Sequence, residues 1–170
     1  MSDRGDRALR AGDRAPDFTL RDQHGQDVTL SGLLADRPVL IVFYPYAFTG
    51  VCTGELAALQ DGLADFDNDA VALLVVSADS LYSQRVFAER EGFEFRLLAD
   101  FWPHGAVASA YGVLDQDSGA ALRGTFLVGR DGIVRWSVVH AIPDARDTDD
   151  YRRAIAALAD EASVAAPTVG

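Results

Sequence analysis

Cys52 is the one cysteine in the chain, and it stands in the segment Phe43-Tyr44-Pro45-Tyr46-Ala47-Phe48-Thr49-Gly50-Val51-Cys52-Thr53-Gly54-Glu55-Leu56. A lone thiol makes no intramolecular disulfide and no multi-cysteine metal site, so it serves either as a nucleophile or as a small buried hydrophobe. The nucleophile is the thiolate, and it is favoured where unpaired backbone N–H groups and the positive end of a helix dipole face it. Thr49 lies three residues earlier, on the same face of a first helical turn. Its hydroxyl can donate to the sulfur, or accept from and orient an incoming O–H. Pro45 can shield the site and position the loop that carries Thr49, and Glu55 can hold a charged partner. Each also has an ordinary reading: Thr49 as a helix N-cap, Pro45 as a loop start, Glu55 as a first-turn acid.

The elements that must position this segment follow from hydrophobic period. Val39 to Tyr44 is a continuous β-branched and aromatic run, expected of a central strand covered on both faces, and Pro45 ends it. Leu56, Leu59, Leu63 and Phe66 then recur at helical spacing, which predicts a helix from Gly50 or Val51 to Phe66. Cys52 is thereby placed just past the C-terminal end of a parallel strand, where open α/β sheets bind ligands.

The remaining chain extends the same alternation. Phe18 to Leu20 and Val28 to Leu30 flank the turn-rich Asp22 to Gln26 and predict an N-terminal β-hairpin. Ala70 to Ser77 is a second buried strand. Asp79 and Ser80 offer cap chemistry for a helix that Gly92 closes. A short strand spans Phe95 to Leu98, and a short helix ends at Tyr111 before Gly112. Thr125 to Val128 and Ile133 to Val139, with Trp136, flank Gly129-Arg130-Asp131-Gly132, a strong hairpin signal. A last helix runs from Asp149 to Ala159, with Asp147, Asp149 and Asp150 suited to its N-terminal dipole. The order β-α-β-α-β-α, then a hairpin, then a helix describes a thioredoxin-like α/β sandwich with a central mixed sheet. The expected organisation is a flexible extension over residues 1–10, one domain over 11–161 and a flexible tail over 162–170.

Bulk properties narrow the partners. The chain has 170 residues, 49% hydrophobic and 24% charged, as expected for one globular domain. No apolar run approaches the ~20 residues of a membrane span. The polar, mixed-charge start MSDRGDRALR lacks the apolar core of a signal peptide, so a cytoplasmic protein is expected. A net charge of -11 disfavours nucleic acid, whose phosphates need a clustered basic face.

Together the residues form Pro45-x-x-x-Thr49-x-x-Cys52, which resembles the active-site motif of the peroxiredoxin family. The resemblance runs from about Gly12 through Ala159. It takes in Ala15-Pro16-Asp17-Phe18, Asp100-Phe101-Trp102-Pro103-His104-Gly105, Ala110-Tyr111-Gly112-Val113 and Arg123-Gly124-Thr125-Phe126-Leu127-Val128. Within the family these stretches are most similar to the AhpE-type one-cysteine alkyl hydroperoxide reductases of actinobacteria. The last stretch looks like the strand carrying the family's active-site arginine. Arg123 would keep its charge at any working pH and offer several donors to the thiolate and to the departing oxygen. Otherwise it is a surface arginine at a strand start.

The resemblance implies a thiol-dependent peroxidase acting on hydrogen peroxide, organic hydroperoxides or peroxynitrite through a Cys52 sulfenic acid, which excess peroxide would overoxidise. It implies no metal, flavin or haem. It also implies an external reductant, either mycothiol with a mycoredoxin or a thioredoxin-like redoxin, and a homodimer. Phe101, Trp102 and Pro103 are candidate interface or pocket residues, with core packing the alternative for Trp102. Two other classes compete. A cysteine–histidine hydrolase would need His24, His104 or His140 beside Cys52, and a peroxide sensor or chaperone could share the fold. A dithiol reductase is excluded, because there is no Cys-x-x-Cys.

Overall fold

The computed structural model describes residues 8–165. The expected flexible ends fall largely outside the described residues. Within them, Ala8 and Leu9 pack against the core, and the Leu9 N–H donates to the Tyr111 carbonyl. Among the described residues, seven strands form one sheet in the order β2-β1-β5-β4-β3-β6-β7. The strands are β1 (Thr19–Asp22), β2 (Asp27–Thr29), β3 (Val39–Phe43), β4 (Ala72–Ser77), β5 (Arg96–Ala99), β6 (Arg123–Val128) and β7 (Val134–His140). β3, β4 and β5 are parallel, while β6 joins β3 antiparallel and β7 closes the predicted hairpin beside β6. The N-terminal hairpin β1–β2 attaches antiparallel to β5. The result is the expected mixed-sheet, thioredoxin-like sandwich.

Strand pleating divides the core in two. Val39, Ile41 and Phe43 of β3 face one side with Tyr111, Phe126 and Val134. Leu40 and Val42 face the other, with Tyr44 just beyond the strand, against helices α2 (Gly50–Asp61), α3 (Leu63–Phe66), α4 (Leu81–Glu91) and α6 (Thr148–Ala165). Helices α1 (Leu30–Leu34) and α5 (Ala106–Ala110) cover the first face through Leu30, Leu34 and Ala108. Every residue of β3 is buried, as its unbroken apolar run requires. Cys52, in the first turn of α2, faces this second side of the core.

The predicted single helix over 50–66 is two helices. Gly62 breaks it because the chain turns there against α6: a Cβ at Gly62 would meet the Phe66 ring at 3.0 Å and collide with the Arg152 guanidinium. The Arg152 guanidinium lies 4.9 Å over the Phe66 ring and pairs with Asp65. Helix α1 has no counterpart among the sequence expectations. It is one short turn, created by docking Leu30 and Leu34, at i and i+4, into the core rather than by any periodic pattern. The last helix continues to Ala165, beyond the expected end at Ala159. Strand β6 begins at Arg123, two residues before the expected Thr125, so this arginine is part of the sheet itself. Other signals hold as read. Ser80 caps α4 by accepting the Ser83 N–H, and Gly92 ends it with φ +73°. Trp136 lies in β7, edge-on to Tyr151.

Candidate active site

Helix α2 starts immediately after the loop that follows β3, and Thr49 occupies its N-cap position in extended conformation. The Thr49 side chain makes no cap hydrogen bond. Its hydroxyl donates to the Tyr46 carbonyl at 3.1 Å instead, while its own carbonyl accepts from the Thr53 N–H and hydroxyl. Two consequences follow. The first-turn N–H groups over residues 50–52 are left without a side-chain acceptor. The Thr49 oxygen, its proton already committed to Tyr46, keeps lone pairs with which to accept from an incoming O–H. In this geometry the Thr49 hydroxyl does not donate to the sulfur.

The Cys52 side chain is 1% exposed, below a rim of half-exposed Tyr46, Phe48 and Val51. Pro45 is buried at the end of β3. Arg123 reaches across from β6, and its Nη2 donates to Cys52 Sγ at 3.3 Å. The same guanidinium pairs through Nη1 with Glu55 Oε1 and donates through Nε to the Ile142 carbonyl. Arg123 thus contacts both Cys52 and Glu55 and brings the three side chains together. Thr49 and Pro45 stand on the entering loop, without a hydrogen bond to the sulfur.

A residue not foreseen completes the cluster. Arg146, from the segment between β7 and α6, clasps Glu55. Its backbone N–H and Nε donate to Oε2 at 2.6 and 3.0 Å, and its Nη2 donates to Oε1 at 3.0 Å. Its Nη1 donates to the Gly124 carbonyl and to Thr125 Oγ1, which lies 3.1 Å from the Tyr151 hydroxyl. In sequence Arg146 sits among Asp144, Asp147, Asp149 and Asp150 and reads as a locally paired loop residue. Its true partner is 91 positions away.

Electrostatics tie these groups together. The side chains of Arg123 and Arg146 are each 2% exposed. Moving such ions out of water costs several kcal/mol apiece unless partners compensate. Burial would push the Glu55 carboxyl up, but hydrogen bonds and charge from Arg146, and then the charge of Arg123, hold it below its ordinary value. With Glu55 ionised, the two guanidiniums leave one positive charge over. Arg123 directs that surplus charge at Cys52 Sγ.

Among the described residues no histidine hydrogen-bonds the sulfur. His24 is exposed in the β1–β2 turn, His104 hydrogen-bonds the Gly119 carbonyl, and His140 ends β7 as the backbone neighbour of Arg123. The hydrogen bond to Sγ comes from an arginine, not from a histidine base. Among the described residues, no group of three or more His, Cys, Asp or Glu side chains is arranged to hold a metal ion, and no helix is long and apolar enough to cross a membrane.

Comparison with known proteins places the chain in a family. Residues 11–137 match the AhpC/TSA family. The chain is 49% identical over 150 residues to alkyl hydroperoxide reductase E of Mycobacterium tuberculosis, covering 88% of this chain and 98% of the relative. It is 38% identical over 153 residues to peroxiredoxin 2 of Thermoplasma acidophilum, covering 86% and 75%. Among solved structures, peroxidoxin BcpB of M. tuberculosis superposes with a TM-score of 0.77 at 31% identity, over 88% of this chain and 98% of that one. The reduced 2-Cys peroxiredoxin of Plasmodium vivax superposes with a TM-score of 0.82 at 28% identity, over 95% and 89%. The chain belongs to the peroxiredoxins of the AhpC/TSA family. It is a thiol-dependent peroxidase, and with a single cysteine it is of the one-cysteine type.

Glu55→Gln tests the charge balance. Removing one partner of a buried ion cluster is expected to cost about 3–5 kcal/mol at neutral pH. Because the folded-state carboxyl is depressed, its stabilisation is complete above its ordinary value of 4.5 and is lost as pH falls through the lower folded value. Urea unfolding across pH should therefore show the gap between wild type and variant narrowing only in acid, as pH falls from 4.5 through the lower folded value.

Proposed function

We propose that Cys52 is the peroxidatic nucleophile, with Thr49, Arg123 and Pro45 forming the site that orients the peroxide and Glu55 supporting Arg123. The observation that carries this reading is the 3.3 Å donation from Arg123 Nη2 to Cys52 Sγ at the N-terminal turn of α2. The thiolate attacks the hydroxyl oxygen of the hydroperoxide. The S–O bond forms as the O–O bond breaks, and both bonding electrons leave on the distal oxygen, which takes a proton to become water or an alcohol. Cys52 becomes a sulfenic acid. Thr49 accepts the peroxide O–H, while Arg123 and the first-turn N–H groups meet the charge that develops on the leaving oxygen. Pro45 keeps water from the buried sulfur.

With no second cysteine, regeneration falls to an external thiol. It attacks the sulfenic sulfur, expels water and leaves a mixed disulfide, which a second thiol reduces. As reductant we propose mycothiol with a mycoredoxin, or a thioredoxin-like redoxin, acting in a reducing cytoplasm.

We further propose a homodimer through the aromatic surface beside this site. Trp102 and Tyr82 are 82% and 70% exposed, so Trp102 is not a core residue. With Phe101 they line a groove of about 570 Å³. Val86 continues the surface along α4 to Arg90, whose guanidinium lies 5.4 Å over the Phe48 ring. Large aromatics left in water next to the reactive loop are what a second copy would cover.

Stopped-flow mixing of reduced protein with one equivalent of hydroperoxide tests the mechanism. Loss of the Cys52 thiol should be orders of magnitude faster than for free cysteine and should add one oxygen by mass. It should fall about 100- to 1,000-fold in Arg123→Ala, and by a smaller but clear factor in Thr49→Val. A rate no faster than free cysteine would remove Cys52 from the peroxidatic role. For the interface, sedimentation velocity should show a dimer that Trp102→Glu converts to monomer, and a monomeric wild type refutes that assignment.

A further inference from the structure

The loop that delivers Pro45 and Thr49 to the sulfur is held from outside itself. Strand β4 ends at Ser77, whose buried hydroxyl donates to Asp79 Oδ2 at 2.7 Å and accepts the Asp79 N–H at 3.2 Å. This closed ring fixes the carboxylate, and the same Oδ2 accepts the Ala47 N–H at 2.9 Å. Ala47 is midway between Pro45 and Thr49.

A second tether lies one turn further on. Gln84 is wholly buried. Its Nε2 donates to the Leu98 carbonyl at 2.9 Å, so its Oε1 faces the Tyr44 hydroxyl and accepts from it at 3.0 Å. Burial pushes the Tyr44 phenol well above its ordinary range, so this donor keeps its proton. Phe48, in the left-handed region at φ +67°, sets its ring tilted against that of Phe87 of α4, with the centroids 5.1 Å apart. Residues 44, 47 and 48 thus each dock on the segment 79–87.

Resting on the peroxidatic role of Cys52 proposed above, we infer that Asp79 and Gln84 are positioning residues that set the loop carrying Pro45 and Thr49 through Ala47 and Tyr44. Neither side chain touches the sulfur or the Arg123–Glu55–Arg146 cluster. Their removal should therefore spare the thiolate and misplace the groups that align the peroxide.

Two reactions of the same thiol separate these effects. Alkylation by iodoacetamide needs only an ionised, reachable sulfur, whereas oxidation also needs the aligned peroxide. In Asp79→Ala the oxidation rate should fall roughly 10- to 100-fold, while alkylation stays level or rises. Asp79→Asn, whose amide oxygen can accept the same two hydrogen bonds, should restore oxidation to within a few-fold of wild type. Tyr44→Phe, which removes one hydroxyl, should show the same split to a lesser degree and serves if Asp79→Ala does not fold. Equal losses in both reactions, or no loss of oxidation in either variant, overturn the proposal. A wild type that oxidises no faster than free cysteine fails the peroxidatic reading instead, which that control shows before any variant is compared.

Discussion

A guanidinium sealed from water must find its partners inside the protein, and Arg123 finds the Glu55 carboxylate, the Cys52 sulfur and the Ile142 carbonyl. Much else in the structure answers to that requirement. Glu55 alone would neutralise Arg123 and leave the sulfur with a dipole-strength donor. Arg146 draws the same carboxylate to itself through hydrogen bonds to both of its oxygens, so that the positive charge of Arg123 remains available to sulfur. The charge that the guanidinium faces changes place during the proposed reaction. As the thiolate becomes a neutral sulfenic acid, its negative charge moves to the departing oxygen, and the same guanidinium is placed to receive it.

The sheet makes this geometry affordable. β6 lies beside β3, so a residue at the start of β6 is brought next to the helix that follows β3, although the two are far apart in sequence. Helix α2 then carries Cys52 and Glu55 at i and i+3, on one face of its first turns. The segment between β7 and α6 closes the third side, with Ile142 and Arg146 both bound to the cluster. The start of β6, the first turns of α2 and the segment between β7 and α6 therefore meet at the Arg123 guanidinium. Their rigidity comes from buried hydrogen bonds that each satisfy a group which would otherwise cost free energy.

Much of this was legible in the chain itself, where local chemistry repeats a pattern. The unbroken apolar run of β3, the helical spacing of Leu56 and Leu59, the Ser80 cap and the Asp131-Gly132 turn are all near-neighbour signals, and they specify the sandwich. The spacing of Pro45, Thr49 and Cys52 is likewise local. Arg146 was not legible, because its acidic neighbours suggest short-range pairing and only the closed fold brings Glu55 within reach. The break at Gly62 and the one-turn α1 escaped for a related reason, since each is decided by what packs against it. Trp102 was undecided between core and surface because aromatic content alone does not distinguish them; the fold leaves it in water.

The central claim is that placement, not positive charge alone, makes Arg123 decisive. Arg123→Lys keeps the charge but cannot reach the sulfur, Glu55 and the Ile142 carbonyl together. The direct measurement is the second-order rate of Cys52 oxidation by hydroperoxide in that variant, with Glu55 and Arg146 intact. A loss of roughly 100-fold or more, close to that of a neutral replacement, is the expected result. A rate near wild type would contradict the claim and reduce Arg123 to a source of charge.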